Sequence, residues 1–104
     1  MEINNFLSQI EETFTNFVAG ILCDNHGFPI AAKVPQNFHI KENQMALSAI
    51  AKDRDFITDP DFMKVKRSVD KGKNIKLFML LDKSSKYLNR FKDLKNIIET
   101  QTLF

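Results

Sequence analysis

Two amphipathic stripes bracket this chain, and between them they decide most of what it can fold into. Near the start, Ile3, Phe6, Leu7, Ile10, Phe14, Phe17 and Val18 recur at steps of three and four. Glu2, Ser8, Gln9, Glu11, Glu12 and Thr15 take the opposite side. That spacing predicts a helix over 3–17 with one apolar face. Near the end, Tyr87, Leu88, Phe91, Leu94, Ile97 and Ile98 repeat the pattern against Lys86, Arg90, Lys92, Asp93 and Lys95. A helix over 86–100 follows, with Ser84 and Ser85 as candidate N-caps. Both helices need an apolar surface to lie on.

The intervening segments supply one. Ile21-Leu22-Cys23 is a short apolar run of strand type, followed by Asp24-Asn25-His26-Gly27. Gly27 offers the positive φ of a tight turn, and Asp24 and Asn25 can bond the local backbone. Phe28-Pro29-Ile30-Ala31-Ala32 resumes the apolar pattern, so a β-hairpin with strands 18–24 and 28–34 is predicted. Pro29 lacks a backbone donor and must start its strand or turn its missing donor outward. Pro35 ends the strand, and 36–40 form a loop. Phe62 to Val69 alternates, with Met63, Val65 and Val69 on one face and Lys64, Lys66 and Ser68 on the other, the mark of a half-buried strand. A turn over 70–74 leads to Ile75–Leu81, an apolar strand suited to the middle of a sheet. The two hairpins join into one antiparallel sheet, and the end helices cover a face of it. The expected fold is a two-layer α+β domain with four or five strands, in the order α-β-β-α-β-β-α. The fifth strand would be a short one over 54–58, near Pro60.

The segment Gln44 to Ala51 is unlike the other helices. It begins near Lys41 and ends near Lys52 or Arg54. Met45, Leu47 and Ile50 mix with Ala46, Ser48, Ala49 and Ala51, so small or apolar residues occupy nearly every side. A helix apolar all round is buried on more than one face. One face can lie on the sheet, and a second copy of the protein is the simplest cover for the other.

The 104 residues make one core and one domain over 1–104. A formal net charge of +2 is too mild to imply a nucleic-acid partner. The single cysteine, Cys23, allows no internal disulfide and suits a reducing compartment. Met1-Glu2-Ile3-Asn4-Asn5 lacks the basic start and apolar run of a secretory leader, and no apolar stretch approaches the length of a membrane span. The expected location is the cytoplasm.

Chemistry-bearing residues are sparse. Cys23 on a core strand reads as a small buried hydrophobe rather than a nucleophile assisted by His26 or His39. Asp53, Asp55, Asp59 and Asp61 lack the glycine of a calcium loop, and Pro60 interrupts them. Gly20, Gly27 and Gly72 are too far apart to cradle phosphate. Lys64, Lys66, Arg67, Lys71, Lys73 and Lys76 form a basic cluster, which more simply keeps an exposed strand solvated. Phe38, Phe56 and Phe104 fall off the apolar stripes and are candidate partner anchors. No catalytic set, metal site or cofactor is expected.

Three features together resemble the roadblock domain, the dynein light chain and GTPase-regulator family. They are the hairpin Ile21-Leu22-Cys23-Asp24-Asn25-His26-Gly27-Phe28-Pro29-Ile30-Ala31, the Ala-rich helix Gln44–Ala51, and Leu77-Phe78-Met79-Leu80-Leu81-Asp82-Lys83-Ser84-Ser85. The family has three strands between its second and third helices, where two are legible here. The resemblance implies a non-enzymatic dimer, of two copies or with a related roadblock subunit, that binds a small Ras-like GTPase or scaffolds a larger complex. It places Met45, Leu47, Ser48, Ala49 and Ile50 at the interface, with Met63 and Val65 on the adjoining edge strand. Lys64, Lys66 and Arg67 are the candidate partner contacts of a second reading. The alternative is a profilin-like or longin-like module whose basic hairpin 62–76 meets an acidic protein surface or nucleic acid.

Overall fold

The structure is a computed structural model that describes residues 2–52, 56–83 and 90–104. Its elements run α1 (Ile3–Thr13), β1 (Phe17–Asp24), β2 (Pro29–Lys33), α2 (Glu42–Ile50), β3 (Phe62–Ser68), β4 (Ile75–Asp82) and α3 (Phe91–Thr100). The α+β class and the order of elements agree with the sequence reading. The four strands form one antiparallel sheet in the order β2-β1-β4-β3.

Alternation along the strands sends side chains to two separate cores, where the sequence reading expects one, because the central strands bury both of their faces. Leu22, Val65, Leu77, Met79 and Leu81 face α1 and α3, where Phe6, Leu7, Ile10, Phe14, Leu94 and Ile97 cover them. Ala19, Ile21, Cys23, Phe78 and Leu80 face the other way, where Met45, Ala46 and Ala49 of α2 cover them with Ile40 and Ile57. The two-layer expectation therefore extends to three: α2 and its flanking loops form a layer of their own. A run such as Leu77 to Leu81, buried at every position, needs cover on both faces.

Three boundaries differ from expectation. The first helix ends at Thr13 instead of running to 17, because Phe14 leaves helical geometry at φ −111° and ψ 110°. Asn16 then begins the sheet pairing: its backbone carbonyl accepts from Asp82 N–H at 2.8 Å, and its side-chain amide donates to the Asp82 carbonyl at 3.2 Å. The expected short strand over 54–58 does not form in 56–58, so the described sheet has four strands, and 53–55 lie outside the described residues. The last helix begins at Phe91, since Arg90, expected inside it, caps it at φ −107° and ψ 17°; the expected caps Ser84 and Ser85 and residues 86–89 lie outside the described residues.

The turn chemistry holds. Gly27 has φ +86°, a conformation that favours glycine, and a Cβ there would also crowd Ile50 Cδ1 at 3.0 Å. Pro29 starts β2, an edge strand, where its missing donor costs nothing. Gln44 Oε1 accepts from Lys41 N–H at 2.9 Å and closes the start of α2.

Phe78 is fully buried at the centre of the α2 core, and Phe78→Ala is expected to cost about 3–5 kcal/mol. Urea unfolding of the two proteins measures this directly.

Candidate interaction surfaces

α2 divides its residues sharply. Met45, Ala46, Ser48 and Ala49 point into the chain's own core, while Leu47 is 42% exposed and Ile50 is half-buried. Of the residues expected at an interface, Met45, Ser48 and Ala49 are thus already covered by the sheet. On β3, Val65 is buried and Met63 half-buried, both packed under α1 and α3. The surface left for a partner on α2 is the strip carrying Leu47, with Ile50 at its margin. The Ser48 hydroxyl is buried with no hydrogen-bond partner among the described residues.

The lysines of β3 lie on the α2 side of the sheet. Lys64 Nζ donates to the Ile57 carbonyl at 2.8 Å, and Lys66 Nζ to the Ala51 carbonyl at 3.1 Å. The strand face read as wet is therefore partly roofed by the α2–β3 connection. Lys66 also meets the negative end of the α2 dipole, a favourable place for a cation. Arg67 lies on the opposite face, 5.6 Å from the Phe91 ring centre, and donates to the Lys66 carbonyl.

The nucleophile and ligand candidates do not converge. Cys23 is buried, with Sγ 3.9 Å from the Ala46 carbonyl and no hydrogen bond to either histidine. Burial pushes its thiol up to about 11, the charge of Asp24 adds to this, and Lys76 opposes it. His39 instead pairs with Asp59 at 3.1 Å and packs beside Phe38 and Phe62, tying the loop before α2 to the loop before β3. Asp59 also accepts from Asp61 N–H. Among the described residues, no three His, Cys, Asp or Glu side chains come together to hold a metal. No described helix is long and apolar enough to cross a membrane.

Asp24 shapes the first turn. Its Oδ1 accepts from the amides of His26 at 2.9 Å and Phe28 at 3.0 Å. The Phe28 amide above all holds the carboxyl below the ordinary aspartate value. This turn sets out Phe28, 67% exposed and the most exposed large apolar side chain described. Sequence reading placed Phe28 in a resumed strand, yet its position between Gly27 and Pro29 already put it at a turn. Of the three phenylalanines singled out, Phe38 is half-buried against Phe62, whereas Phe56 and Phe104 are exposed.

Comparison with family models, curated proteins and solved structures finds no match to this chain.

Two outcomes follow from these environments. At about pH 8, roughly one Cys23 thiol in a thousand is ionised, so a thiol reagent is expected to label the native protein only after denaturation. Asp24→Ala is expected to lower the melting temperature at neutral pH. A lowered folded-state pKa stabilises above the unfolded value of about 3.9 and is lost below it. The gap between wild type and variant is thus expected to close as pH falls through that region, read by melting at a series of pH values.

Proposed function

We propose that this chain is a non-enzymatic, roadblock-like adaptor of the cytoplasm. It pairs with a second copy or a related subunit through α2 and docks a small Ras-like GTPase or a larger assembly. The observation that carries this reading is the setting of α2. It lies alone on its face of the sheet, buries Met45, Ala46 and Ala49 inward, and leaves Leu47 exposed on a strip otherwise made of short or polar residues. The order α-β-β-α-β-β-α, with the end helices together on the opposite face, fits the resemblance drawn from the hairpin, the Ala-rich helix and the strand ahead of the last helix.

The edge strand β3 supplies the second half of such an interface. Its Met63 and Val65 hold the strand to the core, and its outer edge is the part that a partner strand would meet. Leu47 would then be the central apolar anchor, since a few buried anchors carry most of the energy of an interface.

Light scattering over a concentration series tests this. The native chain is expected to reach the mass of a dimer, and Leu47→Glu to raise the dissociation constant at least about tenfold, or about 1.4 kcal/mol. Glu is a good helix former at this exposed position, so an unchanged circular dichroism spectrum is expected. A monomer at every concentration, with no related subunit recovered, overturns the reading. A dimer justifies a direct binding screen against small GTPases in both nucleotide states.

A further inference from the structure

The two hairpin turns lie side by side at one end of the sheet, where Asn25 Nδ2 donates to Asn74 Oδ1 at 3.3 Å. The last turn of α2 reaches the same end, with Ile50 against Gly27. Beneath it opens a recess of about 250 Å³, whose polar lining is Lys52, Lys66, Arg67, Lys76 and Ser68. Lys71 and Lys73 stand exposed on the neighbouring turn.

These cations are not neutralised locally. Among the described residues, none of the lysines Lys52, Lys66, Lys71, Lys73 and Lys76 forms an ion pair with a carboxylate. Lys66 and Arg67 donate to backbone carbonyls and Lys76 donates to the Ser68 hydroxyl, all uncharged partners. The acids on the two turns themselves are Asp24 and Asp70, and each has an oxygen engaged by two backbone amides. Arg67 turns its charge to the opposite face beside Phe91, so the five lysines Lys52, Lys66, Lys71, Lys73 and Lys76 against these two acids leave this end at +3, whereas the whole chain carries +2. The rest of the molecule is therefore net negative. Asp53-Arg54-Asp55, next to Lys52 in sequence, sum to −1 and cannot cancel the excess. The same end carries Phe28, the most exposed large apolar side chain, with exposed Pro29 and Ile30 beside it.

We infer that this end of the domain docks on an anionic phospholipid bilayer, with the lysines against the headgroups and Phe28 entering the interface. The make-up of the patch separates this occupant from two others. All five cations of the patch are lysines, since Arg67 lies on the opposite face against Phe91. Lysines act as mobile point charges suited to a diffuse anionic layer, whereas paired carboxylates of a protein favour the arginine fork. No aromatic rings alternate with the cations to stack on bases, which disfavours a single-stranded nucleic acid. An apolar side chain projecting beside basic ones is the pattern of interfacial membrane binding.

Co-sedimentation of the full chain with vesicles tests this. The probes are vesicles of phosphatidylcholine alone and of phosphatidylcholine mixed with phosphatidylserine. Binding is expected only to the mixed vesicles and is expected to weaken as salt is raised. Lys52 and Lys71 are both exposed, so the double variant Lys52→Ala, Lys71→Ala is expected to fold and to bind more than about tenfold more weakly. Phe28→Ser is expected to weaken binding about fivefold or more while keeping the salt dependence. Equal binding to both vesicle types overturns the inference, as does undiminished binding by both variants. Binding to poly-glutamate or to single-stranded DNA without binding to vesicles also overturns it, and would give this face to a protein or a nucleic acid instead.

Discussion

Strand β4 is bonded to β1 along one edge and to β3 along the other, and Leu77 to Leu81 are buried on both faces. Everything else is arranged to satisfy that strand. Its backbone groups are paired on both sides, so its apolar side chains can sit in a dry interior without stranding polar atoms. Leu77, Met79 and Leu81 draw α1 and α3 onto one face, while Phe78 and Leu80 draw α2 onto the other. A chain of this length has few apolar residues to spare. Spending one strand on both cores joins them through a shared backbone.

The two covers are unequal. On one face, α1 and α3 contribute large side chains such as Phe6, Leu7, Ile10, Leu94 and Ile97, with Phe14 packed against Phe91 at 5.6 Å. On the other, a nine-residue helix covers the sheet largely with Met45 and alanines, helped by Ile40 and Ile57 from the flanking loops. Small side chains let α2 approach the sheet closely, and Cys23 Sγ lies within 3.9 Å of the Ala46 carbonyl. They also leave little apolar area to hold the helix down. The buried Ser48 hydroxyl lies on this thinner side, and an unsatisfied buried donor costs about 1–3 kcal/mol.

What could be read from the sequence was what local periodicity encodes. The alternation of β3, the apolar run of β4, the Asp24 to Gly27 turn and the stripe of Ile3 to Ile10 each carry their own signal. The end of α1 was hidden, because Phe14 and Phe17 keep a helical spacing after the helix has stopped. The residue that decides it is Asn16, through Asp82, a partner 66 positions away that no local window contains. The all-round apolar character of Gln44 to Ala51 pointed correctly to an unusual helix. Alanine, however, gives no indication of which side meets the sheet, so Met45, Ser48 and Ala49 were set beside Leu47 although only Leu47 is well exposed. Likewise, the basic residues of 62–76 are visible as a cluster, but their convergence with Lys52 depends on the end of α2 reaching β3, where Lys66 bonds the Ala51 carbonyl.

The unequal covers bear on where binding can occur. The face under α1 and α3 is closed by large interlocked side chains, and opening it would expose the larger of the two cores. The α2 side carries Leu47 outward, and the cation-lined recess opens at the C-terminal end of the same helix. A partner there needs no rearrangement of the core, because the residues it would touch are already outside. α2 thus has two surfaces that need not compete. On the proposed reading, the exposed Leu47 would meet another folded chain, and the basic end beside the hairpin turns would meet an extended anionic surface. If both are occupied together, a paired adaptor would present two basic ends. The weak attraction of each for a charged surface would then be multiplied by linkage rather than strengthened by any new contact.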